Sequence, residues 1–78
     1  MVKSIYSVEY KAVINALVAE RKHAGITQSQ LASKLGKPQS FVSKIESRER
    51  RLDIVGFFHS CRAMGKDGVE ILRSAGIC

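Results

Sequence analysis

Residues 28–46 read QSQLASKLGKPQSFVSKIE, and this stretch decides the fold. Apolar residues recur at helical spacing on both sides of Gly36, which predicts two short helices joined by a tight turn. Such a turn makes the helices cross steeply, so the residue facing the second helix must be small, as Ala32 is. Gly36 lies where the turn needs a positive φ, and Val42 and Ile45 hold the second helix on the core. This set at fixed spacing predicts a helix-turn-helix unit rather than an ordinary helical hairpin.

The helix-turn-helix unit, placed at residues 28–47, has clear start signals. Thr27 and Gln30 form a capping box, in which the Thr27 hydroxyl accepts from the Gln30 N–H and the Gln30 side chain reaches back to the Thr27 N–H. Pro38 is expected at the first helical position, where its missing N–H has no cost. The second helix is therefore predicted over residues 38–47.

Helical periodicity continues outside this unit, and no stretch alternates apolar and polar residues as a half-buried strand does. Three further helices are predicted, at about residues 8–24, 54–64 and 68–74. Gly25 is expected to end the first of them, and Asp53 and Asp67 to cap the other two. One face of the first helix is expected to hold Ile14, Leu17, Val18 and Arg21. The apolar set of the second is Ile54, Phe57, Phe58, Cys61 and Met64, and the third carries Val69, Ile71 and Leu72. The prediction is an all-α fold, one domain of five short helices over residues 1–78.

The composition of the 78 residues, 45% of them apolar, favours one folded domain over a disordered chain. No apolar run approaches the roughly 20 residues of a membrane span, and we recognise no secretion signal. Cys61 and Cys78 are too few for a disulfide framework and lack zinc-site spacing, so we expect free thiols in a reducing cytoplasm. Cys61 suits a core position and Cys78 a terminal one, with a link between two chains as the alternative for Cys78. We expect no metal and no cofactor.

The net charge of +6 favours an anionic partner such as nucleic acid or a lipid surface. Residues 34–51 hold six basic and two acidic side chains, which is +4 of that total. The basic ones are Lys34, Lys37, Lys44, Arg48, Arg50 and Arg51. A solvated basic face is the ordinary explanation, but the overlap with the helix-turn-helix unit favours nucleic acid. No helix combines a basic face with the broad apolar stripe that membrane binding needs.

The quoted residues resemble the Cro/repressor-type helix-turn-helix family, also called the Xre family. The resemblance covers about residues 17–72 and rests on ITQSQLASKLGKPQSFVSKIE at 26–46, RERRLD at 48–53 and Ala63-Met64-Gly65. It implies a lambda-repressor-like helix-turn-helix DNA-binding domain. In such a domain the second helix of the unit lies in the DNA major groove and the first helix crosses the backbone.

The resemblance also implies which side chains meet DNA. The expected base-reading residues are Gln39, Ser40, Ser43 and Lys44. Gln39 suits adenine N6 and N7, while Lys44 suits guanine or a phosphate equally well, and Ser43 can reach either a base or a phosphate. The expected phosphate-binding residues are Gln28, Lys37, Arg48, Arg50 and Arg51.

Two further positions follow from the resemblance. Arg21 continues the inward face of the first helix, and Glu46 ends the recognition helix. The resemblance implies a structural ion pair between them. Arg48 departs from the family, where glycine commonly ends this helix in a left-handed turn. Arg48 must therefore accept a positive φ, or the helix must end differently.

A dimer is expected because one recognition helix reads only about four or five base pairs, and such proteins commonly bind two half-sites as two-fold dimers. The candidate dimer surface is the segment 67–78, with Val69, Leu72 and Ile77. These residues, together with Ile71, could instead simply close the core. The N-terminal residues Ile5, Tyr6 and Val8 form a second candidate surface.

The expected function is transcription regulation, with double-stranded DNA as the partner and no membrane. We expect a cytoplasmic homodimeric repressor that binds a palindromic operator. Catalysis is not expected, because His23, His59, the two cysteines and scattered serines assemble no nucleophile with a base and an orienting group. The alternative is an antitoxin-type protein whose main partner is another protein and which represses its own operon.

Overall fold

The computed structural model describes residues 7–77. These residues form five α-helices: α1 (Val8–His23), α2 (Gln28–Leu35), α3 (Gln39–Glu46), α4 (Ile54–Ala63) and α5 (Gly68–Ser74). No β-strand occurs among them. The all-α, five-helix prediction is confirmed, and each helix ends within one residue of the expected position. Within the same residues, no helix is both long enough and apolar enough to span a membrane.

Four of the five helices begin at a side-chain cap. The Gln30 N–H donates to the Thr27 hydroxyl at 3.1 Å, and the Thr27 N–H donates to the Gln30 side-chain oxygen at 2.9 Å. The predicted capping box of α2 is therefore present. Ser7, Asp53 and Asp67 accept backbone N–H groups at the starts of α1, α4 and α5. These caps fix where each helix starts, because they satisfy N–H groups that have no partner inside the helix.

The start of α3 differs from the prediction by one residue. Pro38 is not the first helical residue but the N-cap, with φ −70° and ψ 156°, and α3 begins at Gln39. The proline ring fixes only φ, and a φ of −70° is compatible with both positions. Its ψ, which distinguishes the two, is set by the turn that precedes the helix.

The core lies where the helices meet. α2 packs on α3 and α4, α1 packs on α3 and α5, and α4 packs on α5. The main buried cluster consists of Leu17, Leu31, Ala32, Val42, Phe57, Cys61, Met64 and Ile71. Ala32 is only 1% exposed, which agrees with the small residue that the steep α2–α3 crossing requires. Cys61 is also buried, as expected of a small core residue, whereas Cys78 lies outside the described residues.

Two members of the apolar set of α4 are not buried. Phe57, Cys61 and Met64 are buried, but Ile54 is 64% exposed and Phe58 is 36% exposed. A helix that packs on its neighbours along one stripe buries positions spaced by three and four residues. Phe58 lies about 100° around the helix from Phe57, and Ile54 lies in the first turn, at the rim of the core.

The ring of Phe58 instead covers the start of α5. A Cβ atom built on Gly68 would lie 2.4 Å from a ring carbon of Phe58 and 3.3 Å from a ring carbon of Phe57. Glycine at this position is therefore what lets the two helices approach. Phe57 and Phe58 also pack edge to face, with ring centroids 5.2 Å apart. Phe58 thus lies against Gly68, the residue that precedes the exposed Val69.

Candidate nucleic-acid interface

The recognition helix α3 has one buried face and one open face. Val42 and Ile45 are 3% and 4% exposed and anchor the helix to the core. The four side chains predicted to read bases are distributed as follows: Gln39, Ser40 and Lys44 are exposed, and Ser43 is half-buried. The outer face of α3 is therefore polar and open to solvent.

The turn between α2 and α3 sets the angle of the recognition helix. Gly36 has φ 68°, in the left-handed region, as the sequence predicts. The Lys37 N–H donates to the Ala32 carbonyl at 2.9 Å. Together these features end α2 abruptly, so that α3 starts only three residues after Gly36. A substitution at Gly36 would strain the backbone even though space is available there.

Gln39 is tied to the first turn of α2. Its side-chain NH₂ donates to the Gln28 side-chain oxygen at 3.4 Å, and the Ser29 hydroxyl donates to the Gln39 oxygen at 3.5 Å. The Gln28 NH₂ in turn donates to a Glu46 carboxylate oxygen at 2.9 Å. Sequence reasoning assigned Gln28 only to a phosphate and missed its partners within the chain, which lie 11 and 18 residues away. These contacts hold Gln39 at the start of the open face.

Arg21 and Glu46 contact each other in a two-pronged arrangement. The Arg21 Nε donates to one carboxylate oxygen at 2.6 Å and its Nη2 donates to the other at 2.9 Å. The remaining guanidinium nitrogen, Nη1, donates to the Ile26 carbonyl at 2.8 Å. The two side chains are 9% and 12% exposed. Glu46 thus accepts from α1 and from Gln28, and a continuous chain of contacts runs from Arg21 through Glu46 and Gln28 to Gln39.

The predicted phosphate-binding cations lie at the two ends of α3. Lys37 precedes the helix, and Arg48, Arg50 and Arg51 follow it. The Lys37 ammonium lies 5.4 Å from the centroid of the Phe41 ring, and the Arg50 guanidinium carbon lies 5.0 Å from it. Both distances are within the range of a cation–π interaction. Sequence reasoning used Phe41 only as an apolar residue at helical spacing and missed this contact.

Arg48 adopts the first of the two conformations left open by the sequence. Its φ is 63°, and it is the one non-glycine residue with positive φ among residues 7–77. The Arg48 N–H donates to the Ile45 carbonyl at 3.1 Å, and the Glu49 N–H donates to the Lys44 carbonyl at 2.9 Å. This is the left-handed helix ending that glycine commonly provides. The loop therefore keeps its geometry, and the arginine bears the strain.

The loop after α3 is anchored by a residue that the sequence did not single out. The Leu52 N–H donates to the Tyr10 hydroxyl at 2.9 Å, across a separation of 42 residues. Leu52 also packs against the core. No local signal predicts this contact, because Tyr10 lies on α1. Its effect is to fix the basic loop at the end nearest α4.

The residues considered for catalysis, namely the two histidines and the buried Cys61, differ in their exposure to solvent. His23 and His59 are both exposed, and no group of three or more His, Cys, Asp or Glu is placed to hold a metal ion in residues 7–77. Burial, together with the negative charge of Asp67, raises the pKa of the Cys61 thiol from 9.0 to about 11. A buried thiol that stays protonated at neutral pH is a poor nucleophile.

Comparison with known proteins agrees with this geometry. A family model described as helix-turn-helix matches residues 17–54. The solved structure of an XRE-family like protein from Pseudomonas syringae pv. tomato str. DC3000 is similar, with 47% sequence identity and a TM-score of 0.83; the match covers 87% of this chain and 83% of that one. No curated protein matches significantly. The chain belongs to the XRE family of helix-turn-helix proteins and is a DNA-binding transcription regulator, with α2 and α3 as its helix-turn-helix.

Proposed function

We propose that this regulator is a homodimeric repressor that binds a palindromic operator, with α3 in the major groove of each half-site. The observation that carries the proposal is the open polar face of α3, held in position by the contacts from Arg21 through Glu46 and Gln28 to Gln39. A rigid helix presents its side chains to base edges without having to be ordered on binding. A protein bound at its operator represses by obstructing access to that DNA.

The base-reading set is Gln39, Ser40, Ser43 and Lys44. Gln39 can make two hydrogen bonds to adenine, through N6 and N7, because its amide carries a donor and an acceptor. Lys44 donates to guanine O6 and N7 or to a phosphate. Ser43 is half-buried, so its hydroxyl reaches only a base or phosphate that comes close to the helix.

The phosphate-binding set consists of Gln28, Lys37, Arg48, Arg50 and Arg51. Gln28 uses one N–H of its amide on Glu46 and keeps a second for a phosphate oxygen, since an amide nitrogen has two hydrogens. The cations at either end of α3 supply the sequence-independent part of the affinity. Binding should therefore weaken steeply as salt is added.

The proposed dimer surface is the segment 67–78, with exposed apolar residues of α4 beside the start of α5. Val69 and Ile77 are 41% and 44% exposed, and Leu72 is half-buried. Ile71 is buried in the core and is no part of this surface. Ile54, Val55 and Phe58 of α4 are exposed as well, and the Phe58 ring lies against Gly68 at the start of α5. Of the second candidate surface, Val8 is 81% exposed, and Ile5 and Tyr6 lie outside the described residues.

The test of the proposal begins with duplexes selected from a random pool by the wild-type protein. A double substitution, Gln39→Ala with Lys44→Ala, should abolish binding to the selected duplex and leave the melting temperature unchanged, because both side chains are exposed. The matched control is Lys11→Ala with Asn15→Ala, which removes the same two kinds of group from exposed positions on α1. Selection of no common sequence, or equal loss in the control, contradicts the proposal.

The alternative function is that of an antitoxin-type protein with another protein as its main partner and autoregulatory DNA binding. The exposed apolar residues of α4 and α5 support it as well, because they fit a different protein as readily as a second copy. Sedimentation at tens of micromolar separates the two. A dimer supports the repressor, whereas a monomer that forms a stoichiometric complex with a toxin from the same operon supports the alternative. Both functions place the protein in the cytoplasm.

A further inference from the structure

Phe41 occupies an unusual place in the recognition helix. It is the third residue of α3, it is half-buried, and it packs against the buried cluster, as Leu35 and Leu52 also do. Its ring also meets two cations from different segments. Lys37 comes from the turn before α3 and Arg50 from the loop after it, at 5.4 and 5.0 Å from the ring centroid.

We propose that Phe41 is a positioning residue for DNA binding, whose ring holds the Lys37 ammonium and the Arg50 guanidinium in place for the DNA phosphates. The inference rests on the proposed function, in which both cations bind phosphate. Phe41 itself need not touch DNA, since it acts through the two side chains that it orients.

The physical reason is the cost of ordering long side chains. Lysine and arginine lose rotamer freedom when they bind a phosphate, and this loss weakens binding. A ring that attracts the cations beforehand reduces the loss at the moment of binding. The backbone of Lys37 and of Arg50 is already fixed. The Lys37 N–H donates to the Ala32 carbonyl, and the Arg50 N–H donates to the Lys44 carbonyl. Only the side chains remain to be ordered.

An aromatic ring suits this task better than a carboxylate. A carboxylate would hold the same cations but would neutralise them and compete with the phosphate. In the described residues neither Lys37 nor Arg50 pairs with a carboxylate, so both keep their full charge for DNA. Phe41 thus orders the two cations without reducing the potential that they present.

The simpler explanation is that Phe41 only fills the rim of the core. Leucine would fill it nearly as well, whereas it offers no ring to a cation. The test therefore compares Phe41→Leu with Phe41→Tyr, which keeps the ring. Each protein is titrated with a fluorescent duplex selected by the wild type and with an unrelated duplex of the same length. Melting temperatures and proton NMR shifts of the free proteins are recorded beside them.

We expect Phe41→Leu to bind both duplexes about five- to tenfold more weakly, because phosphate contacts do not depend on sequence. Phe41→Tyr should stay within about twofold of the wild type. In the free wild-type protein, the side-chain methylene protons of Lys37 and Arg50 should show ring-current shifts that Phe41→Leu abolishes. These results together support the positioning role.

A third comparison isolates the route of the effect. In a background of Lys37→Ala with Arg50→Ala, the further change Phe41→Leu should weaken binding by less than about twofold, since the side chains that it orients are gone. An undiminished effect there, or wild-type affinity in Phe41→Leu, overturns the positioning role while leaving the proposed function intact. Wild-type protein that binds no duplex overturns the proposed function and the inference together. In either case, ring-current shifts in the wild type would show that Phe41 contacts the two cations but does not position them for DNA.

Discussion

Arg21 places a full charge in the interior of the protein. Its hydrogen bonds to Glu46 and to the Ile26 carbonyl compensate for the loss of water around that charge. Among residues 7–77, no buried side-chain nitrogen or oxygen lacks a hydrogen-bond partner. The pair is therefore fully satisfied. Removal of only one partner should destabilise the fold, because the charge that remains would be poorly solvated.

The first prediction concerns this pair. Arg21→Ala should lower the free energy of unfolding by about 3–5 kcal/mol, because Glu46 is left without its partner. Arg21→Met with Glu46→Leu should cost less than the single change, since no charge remains stranded. Urea denaturation measures both, with the exposed Lys11→Ala as the control. An Arg21→Ala protein that unfolds like the wild type would falsify the structural role.

The buried thiol of Cys61 makes the stability of the fold depend on pH. Its folded pKa of about 11 lies above the ordinary 9.0, mainly because the thiolate would be desolvated. As pH rises, the thiol therefore ionises in the unfolded chain before it ionises in the folded protein. The free energy of unfolding consequently falls between pH 9 and pH 11.

The second prediction is that the wild type loses on the order of 2 kcal/mol more than Cys61→Ala between pH 8 and 11. All other ionisable groups are common to the two proteins, so the difference between their stabilities isolates the thiol. The measurement is urea denaturation in the presence of a reductant. Parallel stability curves across this range would show that the thiol titrates normally in the folded protein.

At the scale of elements, α3 ends in a conformation that its sequence does not favour. Arg48 takes the left-handed conformation in which side chains are strained. The bonds from Arg48 to Ile45 and from Glu49 to Lys44 close the helix around it. The chain thus keeps a cation next to the recognition helix, and the left-handed turn is the cost of placing it there.

The third prediction separates the backbone strain at Arg48 from the contribution of its positive charge to DNA binding. Arg48→Gly should be more stable than Arg48→Ala by about 1 kcal/mol, because only glycine relieves the strain. Both should bind DNA more weakly than the wild type and to the same extent, since both lack the cation. Thermal unfolding and duplex titration measure the two quantities. Equal stability of the two variants would mean that the turn relaxes when the arginine is removed.

The whole molecule places its basic and apolar surfaces on different elements. The six cations of residues 34–51 lie on and around α3, while the exposed large apolar side chains of the described residues belong to the first turn of α1, to α4 and to the segment 67–78. This separation lets one surface bind DNA while another binds a partner. A two-fold dimer would then present two recognition helices to successive turns of the major groove.

The fourth prediction tests that surface. Val69→Asp should convert the dimer to a monomer in sedimentation experiments, because a buried carboxylate at the interface would be unpaired. Binding to a duplex with two half-sites should fall at least tenfold, whereas binding to one half-site should not change. Val8→Asp is the matched control at the other candidate surface. Dissociation by Val8→Asp alone would assign the dimer to the N-terminal side of α1.

Much of the fold could be predicted from the sequence because its signals are local. The α2–α3 turn depends on Gly36 and on the spacing around it, and the capping box of α2 spans only the residues from Thr27 to Gln30. The outward polar set of α3 follows from the burial of Val42 and Ile45. Such features are settled by backbone geometry within one or two helical turns.

The rest depended on contacts between distant residues. Phe58 and Ile54 belong to the apolar set of α4, but the neighbouring helices cover only the narrower stripe of Phe57, Cys61 and Met64. The Leu52 N–H donates to the Tyr10 hydroxyl across a separation of 42 residues. The Phe41 ring contacts Lys37, which precedes α3, and Arg50, which follows it. The pairing of Arg21 with Glu46 was expected only by resemblance to a family.

The sequence by itself determined that residues 7–77 form five helices with a helix-turn-helix among them, because caps, glycines and apolar spacing act over a few residues. Only the tertiary structure decided which side chains brace the recognition helix and which apolar ones stay exposed. The physical reason is that packing and long-range hydrogen bonds depend on how helices far apart in the chain are brought together.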